Sequence, residues 1–206
     1  MIYKTLARLF GDKKYYTSYY KSAIHKYTDI DSYLNVFRKV MGAKSVVKTK
    51  RKITFLDDLP FGSSFNEIKN RIYGSYRIVR ELENISIILS EVKIHNYKFI
   101  VELHFYKQKL VFYKYIFKSK EHKNLLLNLM LDKYLNKDEA DLRMKNLTIT
   151  DNDNNRLLLE DEVHLSISYL TFKFGFLEHL FELKEQKELD EFNRSEKALK
   201  ELLSKL

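Results

Sequence analysis

Residues 85–117 read ISIILSEVKIHNYKFIVELHFYKQKLVFYKYIF, and an antiparallel sheet can be read from this run. Ile85–Ile94 is dense in Ile, Leu and Val, the residues that fit a pleated surface. His95-Asn96 is a plausible two-residue turn, because Asn tolerates positive φ. Tyr97–Tyr106 alternates: Phe99, Val101, Leu103 and Phe105 point one way, Ile100, Glu102, His104 and Tyr106 the other. Lys107–Lys109 turns the chain and Leu110–Phe117 forms the next strand. Tyr76–Leu82, upstream, completes a meander of four. Strands joined by tight turns pair antiparallel, and alternation predicts one covered face and one wetter face.

On the N-terminal side of this meander, Ser64 with Glu67 three residues later makes a capping box for a helix over 64–72. The turn before it, Asp57-Asp58-Leu59-Pro60-Phe61-Gly62, holds the one proline of the chain. Ile53–Leu56 reads as a short strand and residues 44–52, KSVVKTKRK, as a basic connector. On the C-terminal side the pattern recurs in shorter form. Residues 120–135 form a helix, Met144–Thr150 a strand, Asp151–Asn155 a turn, Arg156–Leu159 a return strand and Val163–Phe172 an alternating strand. The class is therefore α+β. The reading is an antiparallel meander with helices on one face, a helical N-terminal region over 1–45, a core over 46–175 and a C-terminal amphipathic helix over 176–206. The two helix-plus-meander halves of the core can build one continuous sheet.

The N-terminal region pairs a short helix over 3–11 with an aromatic stripe, Tyr15, Tyr16, Tyr19, Tyr20, Ala23, Ile24 and Tyr27, at helical spacing. Asp29 or Asp31 can cap a further helix carrying Tyr33, Leu34, Phe37, Val40 and Met41 and ending near Gly42. From Phe176 the chain is helical to its end. Leu189, Phe192, Leu199, Leu203 and Leu206 mark a heptad seam in which Glu196 fills the missing position. Glu196/Lys200 and Glu201/Lys205 are favourable i,i+4 pairs.

Composition narrows the chemistry. The 206 residues contain no Cys, which excludes disulfides, thiolate zinc, iron–sulfur clusters and a cysteine nucleophile. Five scattered glycines offer no phosphate loop. No stretch approaches the ~18 apolar residues of a membrane span, and the N-terminus lacks a signal-peptide pattern, so a cytoplasmic location is expected. Residues 1–56 hold 13 Lys/Arg against 3 Asp/Glu, while the remaining 150 are almost neutral. The net charge of +9 thus belongs to the N-terminal quarter.

Phe61-Gly62-Ser63-Ser64-Phe65-Asn66-Glu67-Ile68, running through Ile72 into strands, resembles the small outer-membrane assembly lipoproteins of the SmpA/OmlA type and the β-lactamase-inhibitor-like fold around them. The resemblance covers residues 60–117. It implies a fold that binds other proteins without catalysis. With no lipid-attachment cysteine in this chain, membrane anchoring does not carry over.

Three groups of residues are candidates for chemistry or binding. Lys13, Lys14, Tyr16, Tyr20, Lys21, Lys48, Lys50, Arg51 and Lys52 could neutralise phosphates and stack on bases; equally, the tyrosines could pack on the sheet, dock a partner or meet an anionic membrane. Asp151, Asp153, Asn155 and Glu162 fall at positions 1, 3, 5 and 12 of a calcium-loop pattern, but Arg156 replaces the turn glycine, and a polar hairpin turn explains the run better. Glu102 and His104 share a strand face, with Tyr113 or Tyr115 opposite; this is the start of a general-base pair or else a satisfied pair on a wet face. No cofactor is implied. The expectation is a non-catalytic protein-binding or structural component of a larger assembly, with self-association through 176–206 among its modes of contact and nucleic-acid binding through the basic region as the alternative.

Overall fold

The computed structural model describes residues 17–43, 45–56, 58–72, 75–80, 82–94, 97–117, 123–135, 147–161 and 164–204. Eight strands form one sheet: β1 (Val46–Lys48), β2 (Tyr76–Val79), β3 (Ile85–Ile94), β4 (Tyr97–Tyr106), β5 (Lys109–Phe117), β6 (Thr148–Thr150), β7 (Arg156–Asp161) and β8 (Leu165–Leu170). Their spatial order is β1-β6-β7-β8-β5-β4-β3-β2. Every pairing is antiparallel except β1 with β6. The two halves read from the sequence do meet in a continuous sheet, joined where β5 pairs with β8.

Helices cover both faces of this sheet, not one. On the first face lie α3 (Phe65–Arg71) and α4 (Lys123–Tyr134), together with the loop carrying Ile53, Phe55, Leu59 and Phe61. They pack on Ile88, Leu103, Phe105, Ile149, Leu159 and Ile167. On the second face lie α1 (Thr17–Thr28), α2 (Ile30–Met41) and the start of α5 (Phe176–Leu203). They pack on Ile87, Leu89, Val111, Phe112, Leu158 and Leu170. The face expected to be wetter is therefore buried too; Ile100, Glu102, His104 and Tyr106 are all inside. Because both faces are covered, burial does not alternate: all six residues of β8, LSISYL, are buried although the sequence alternates.

Local signals place the helices. Asp29 caps α2, its side chain accepting from the Asp31 backbone N–H. The Ser64/Glu67 capping box is present at α3 in both directions. The β4–β5 turn has both central residues, Lys107 and Gln108, at positive φ, which matches the twist of the flanking strands. A β-bulge between His104 and Phe105 then shifts the register by one residue.

Two further expectations are corrected. The KSVVKTKRK connector contains β1, the one parallel strand. Ile53–Leu56 is no strand; Phe55 and Leu59 make an isolated bridge. Met41, the last apolar residue read on α2, is exposed, unlike Tyr33, Leu34, Phe37 and Val40. The helix over 3–11, Tyr15, Tyr16 and the His95-Asn96 turn lie outside the described residues. None of the described helices is long and apolar enough to cross a membrane.

Candidate functional site

Glu102 and His104 project from β4 toward α1 and α2, and their exposures are 1% and 0%. The bulge decides what lies beside them. A two-residue turn without it would pair Glu102 with Tyr113; the one-residue shift pairs Glu102 with Lys114 and His104 with Phe112. Tyr113 and Tyr115, expected opposite the pair, lie on the other face. The tyrosines that do reach Glu102 come from α1. The hydroxyls of Tyr19 and Tyr27 both donate to its carboxylate. From α2, the Tyr33 hydroxyl meets His104 Nδ1 at 2.9 Å. Donation by Tyr33 leaves the imidazole proton on Nε2, which stands 3.8 Å from Glu102 Oε2. That separation is too long for a hydrogen bond, and Nε2 is buried without a hydrogen-bond partner.

The electrostatics follow from this packing. Burial pushes the His104 imidazole below its ordinary value, outweighing the nearby carboxylate, so it is neutral at neutral pH. Burial alone would raise Glu102, but the His104 imidazole, the Lys26 ammonium and the Tyr19 hydroxyl together hold it well below the usual range. The tyrosines Tyr27 and Tyr33 are raised, first by burial and then by Glu102. The result is an ionised carboxylate solvated by protein hydroxyls. General-base chemistry needs substrate within hydrogen-bond reach of the base. Here that space is filled by tyrosine rings and Phe112. The cluster fastens α1 and α2 to the sheet.

A cleft of about 370 Å³ opens beside the cluster between α2 and β5, β7 and β8, lined among others by Lys26, Asn35, Lys39, Lys114 and Glu160. Glu160 accepts from Lys39 at 2.7 Å and from Lys114 at 3.3 Å. Burial works to raise its carboxyl, but those ammonium groups outweigh it and lower the value. Neither Glu102 nor His104 lines the cleft. Lys26 does, and it joins Glu102 through the Tyr27 hydroxyl, which it meets at 3.0 Å. Tyr19, Tyr33, Lys114 and Glu160 were absent from the candidate residues. A signal existed for one of them: Lys114 is a charge at an inward position of a strand otherwise apolar there.

The basic candidates are not gathered into one surface. Lys48, Lys50, Arg51 and Lys52 are exposed on and after β1, one edge of the sheet. Tyr20 packs in a half-buried position under Arg77 of β2, the opposite edge, with the guanidinium 4.8 Å from its ring centre. Lys21 is exposed beside it. Eight strands at ~4.8 Å spacing separate these two edges by about 34 Å. Lys13, Lys14 and Tyr16 lie outside the described residues. Around Asp151, the calcium-loop candidate, the carboxylate accepts from the backbone N–H groups of Ile53, Asp153 and Asn155 and from the Asn155 side chain. Donors surround it, and Asp153 pairs with Lys173 at 3.2 Å. This is a hairpin turn stapled to the residue-53 loop. Glu162 is outside the described residues.

The C-terminal helix has two unlike parts. Its first turns are anchored on the second face: Phe176 and Leu180 are fully buried, and His179 stacks on Tyr106 and meets the Glu83 carbonyl at 3.1 Å. Lys184 reaches Asp31 of α2 at 3.0 Å. Beyond that clamp the helix leaves the body. Every residue from Glu185 to Ser204 is exposed. Leu189, Phe192, Leu199, Leu202 and Leu203 are among them, Phe192 at 65%. The heptad seam, Leu206 outside the described residues aside, is thus displayed on a projecting arm, and Glu196 and Lys200 form the expected pair at 2.8 Å.

Comparison with family models, curated proteins and solved structures gives no match at any of the three levels.

Proposed function

We propose that this protein is a non-catalytic structural component of a larger assembly, and that the distal half of α5 is its docking element. One observation carries this reading: nineteen successive helical residues, 185–203, are exposed while displaying five large apolar side chains. An isolated helix of that length is marginal in water. Burying a Leu or Phe side chain contributes about 1.5–3 kcal/mol, so a partner that covers the seam stabilises the helix and gains affinity together. The resemblance of residues 60–117 to assembly lipoproteins supports the same reading, since it implies protein binding. The filled face at Glu102 and His104 supports it from the other side, because the strongest acid–base candidate is spent on architecture.

The test is a photo-crosslinking residue placed at Phe192 of the full chain in the cells that make it. Protein adducts are expected, and they should disappear when Leu199→Glu and Leu203→Glu are added. No adduct, or adducts with nucleic acid alone, would overturn the proposal.

A further inference from the structure

The projecting arm of α5 carries information about what covers it. Residues 185–191 contain four acids and one Lys, whereas residues 194–205 contain four Lys/Arg and two acids. The near half of the arm is therefore acidic and the far half basic. Two copies of the arm laid side by side in the same direction would place acid against acid and base against base. They would also bring Glu196, the polar position of the seam, against its own copy. Like charges at such core-flanking distances are unfavourable. Laid head to tail with the two seams in register, Asp190 and Glu191 of each arm come level with the basic tip of the other, and the rest of each acidic half extends past it. In that arrangement Phe192 sits against the partner copy's Leu203, and Glu196 against its Leu199 with Lys200 adjacent.

Space permits the arrangement. The exposed stretch of 20 residues is about 30 Å long. Overlap centred between Lys197 and Ala198 uses nearly all of it and leaves the two bodies at opposite ends. The helix is held in place for this: Lys184 is clamped to Asp31, and His179, Phe176 and Leu180 fix the first two turns.

Building on the docking function proposed above, we infer that the arm's occupant is a second copy of this chain, paired antiparallel through Leu189, Phe192, Leu199 and Leu203 around a two-fold axis near Lys197. The pairing is isologous, as a closed dimer requires.

The chain has no cysteine, so Glu185→Cys introduces a single labelling site at the base of the arm. In the purified full-length protein, spin labels at this site are expected to lie about 40 Å apart in the antiparallel dimer, against about 10–15 Å in a parallel one. Light scattering should report a dimer whose dissociation constant weakens roughly three- to ten-fold between low and ~0.5 M salt, because opposite charges are screened. Phe192→Glu with Leu199→Glu should leave a folded monomer by circular dichroism. A 10–15 Å distance overturns the antiparallel pairing. A monomer at all concentrations overturns self-pairing. If crosslinking at Phe192 still captures a different protein, the docking function survives that failure; if it captures none, both fall.

Discussion

At the scale of single residues, His104 shows what enclosure does to a titratable group. Its ring is fully buried between Tyr27, Tyr33 and Phe112, and burial lowers its pKa from the ordinary 6.5. The unfolded chain therefore takes up a proton at this histidine before the folded chain does. The stability this provides is present above pH 6.5 and is lost as pH falls toward the depressed folded value. Thermal denaturation should show wild type losing stability as pH falls below 6.5, before most carboxylates begin to titrate. His104→Gln should flatten that slope. An imidazole NMR titration of the wild type offers a check that needs no variant: the His104 signal should not move near pH 6.5, and a normal midpoint would refute the account. The pair itself was legible in the sequence, because Glu102 and His104 stand two apart on an alternating strand. Their partners were not. Tyr19, Tyr27 and Tyr33 are more than 70 residues away in the chain, and the bulge that replaces Tyr113 with Lys114 leaves no mark in residue pattern.

At the scale of elements, periodicity succeeded where an element buries a face and failed where it does not. β3 and β4 were read with the bounds the structure shows, as was the start of α5. The three-residue β1 was missed because a short edge strand needs no apolar face; Val46 is exposed and only its backbone pairing with β6 defines it. The anchoring of α5 was equally hidden. Nothing in its heptads says that packing stops at Lys184. This division predicts the effect of shortening the chain. Removing residues 185–206 deletes no described buried side chain, so the melting temperature at low protein concentration should change by no more than a few degrees, about the effect of 0.5–1 kcal/mol. The same truncation should abolish association. A collapse of the fold on truncation would show that the arm supports the body.

At the scale of the whole molecule, the two-sided coverage of the sheet explains why the class was legible and the layering was not. Alternation along β4 pointed to one dry face. The second dry face is built with Glu102, His104 and Lys114 inside, and the sequence displays those as polar. Helices α1 and α2 share a core with the same sheet that α5 enters, so the basic N-terminal quarter is part of the body's architecture, at least over residues 17–43. Among the described residues, Lys21 lies near one edge and Lys48, Lys50, Arg51 and Lys52 along the other, while Lys26 and Lys39 line the cleft. The charge asymmetry so plain in the linear chain does not become one continuous basic face among the described residues.

The junction before α5 sets where that helix aims. Phe174 and Gly175 adopt consecutive left-handed conformations, with φ of 71° and 70°, and the Phe174 ring lies on Gly62, where an added Cβ would come within 2.6 Å of its tip. Gly62 itself has φ of 90°. Gly62→Ala should cost about 1–3 kcal/mol, measurable by chemical denaturation, from backbone strain and displacement of the ring. The larger effect is one of leverage. With 28 residues, the helix is a boom of about 42 Å, so a swing of ~10° at its pivot carries the free end ~7 Å, more than a helical turn. Under the docking proposed above, Gly62→Ala is expected to redirect the arm's tip without altering the tip's own surface.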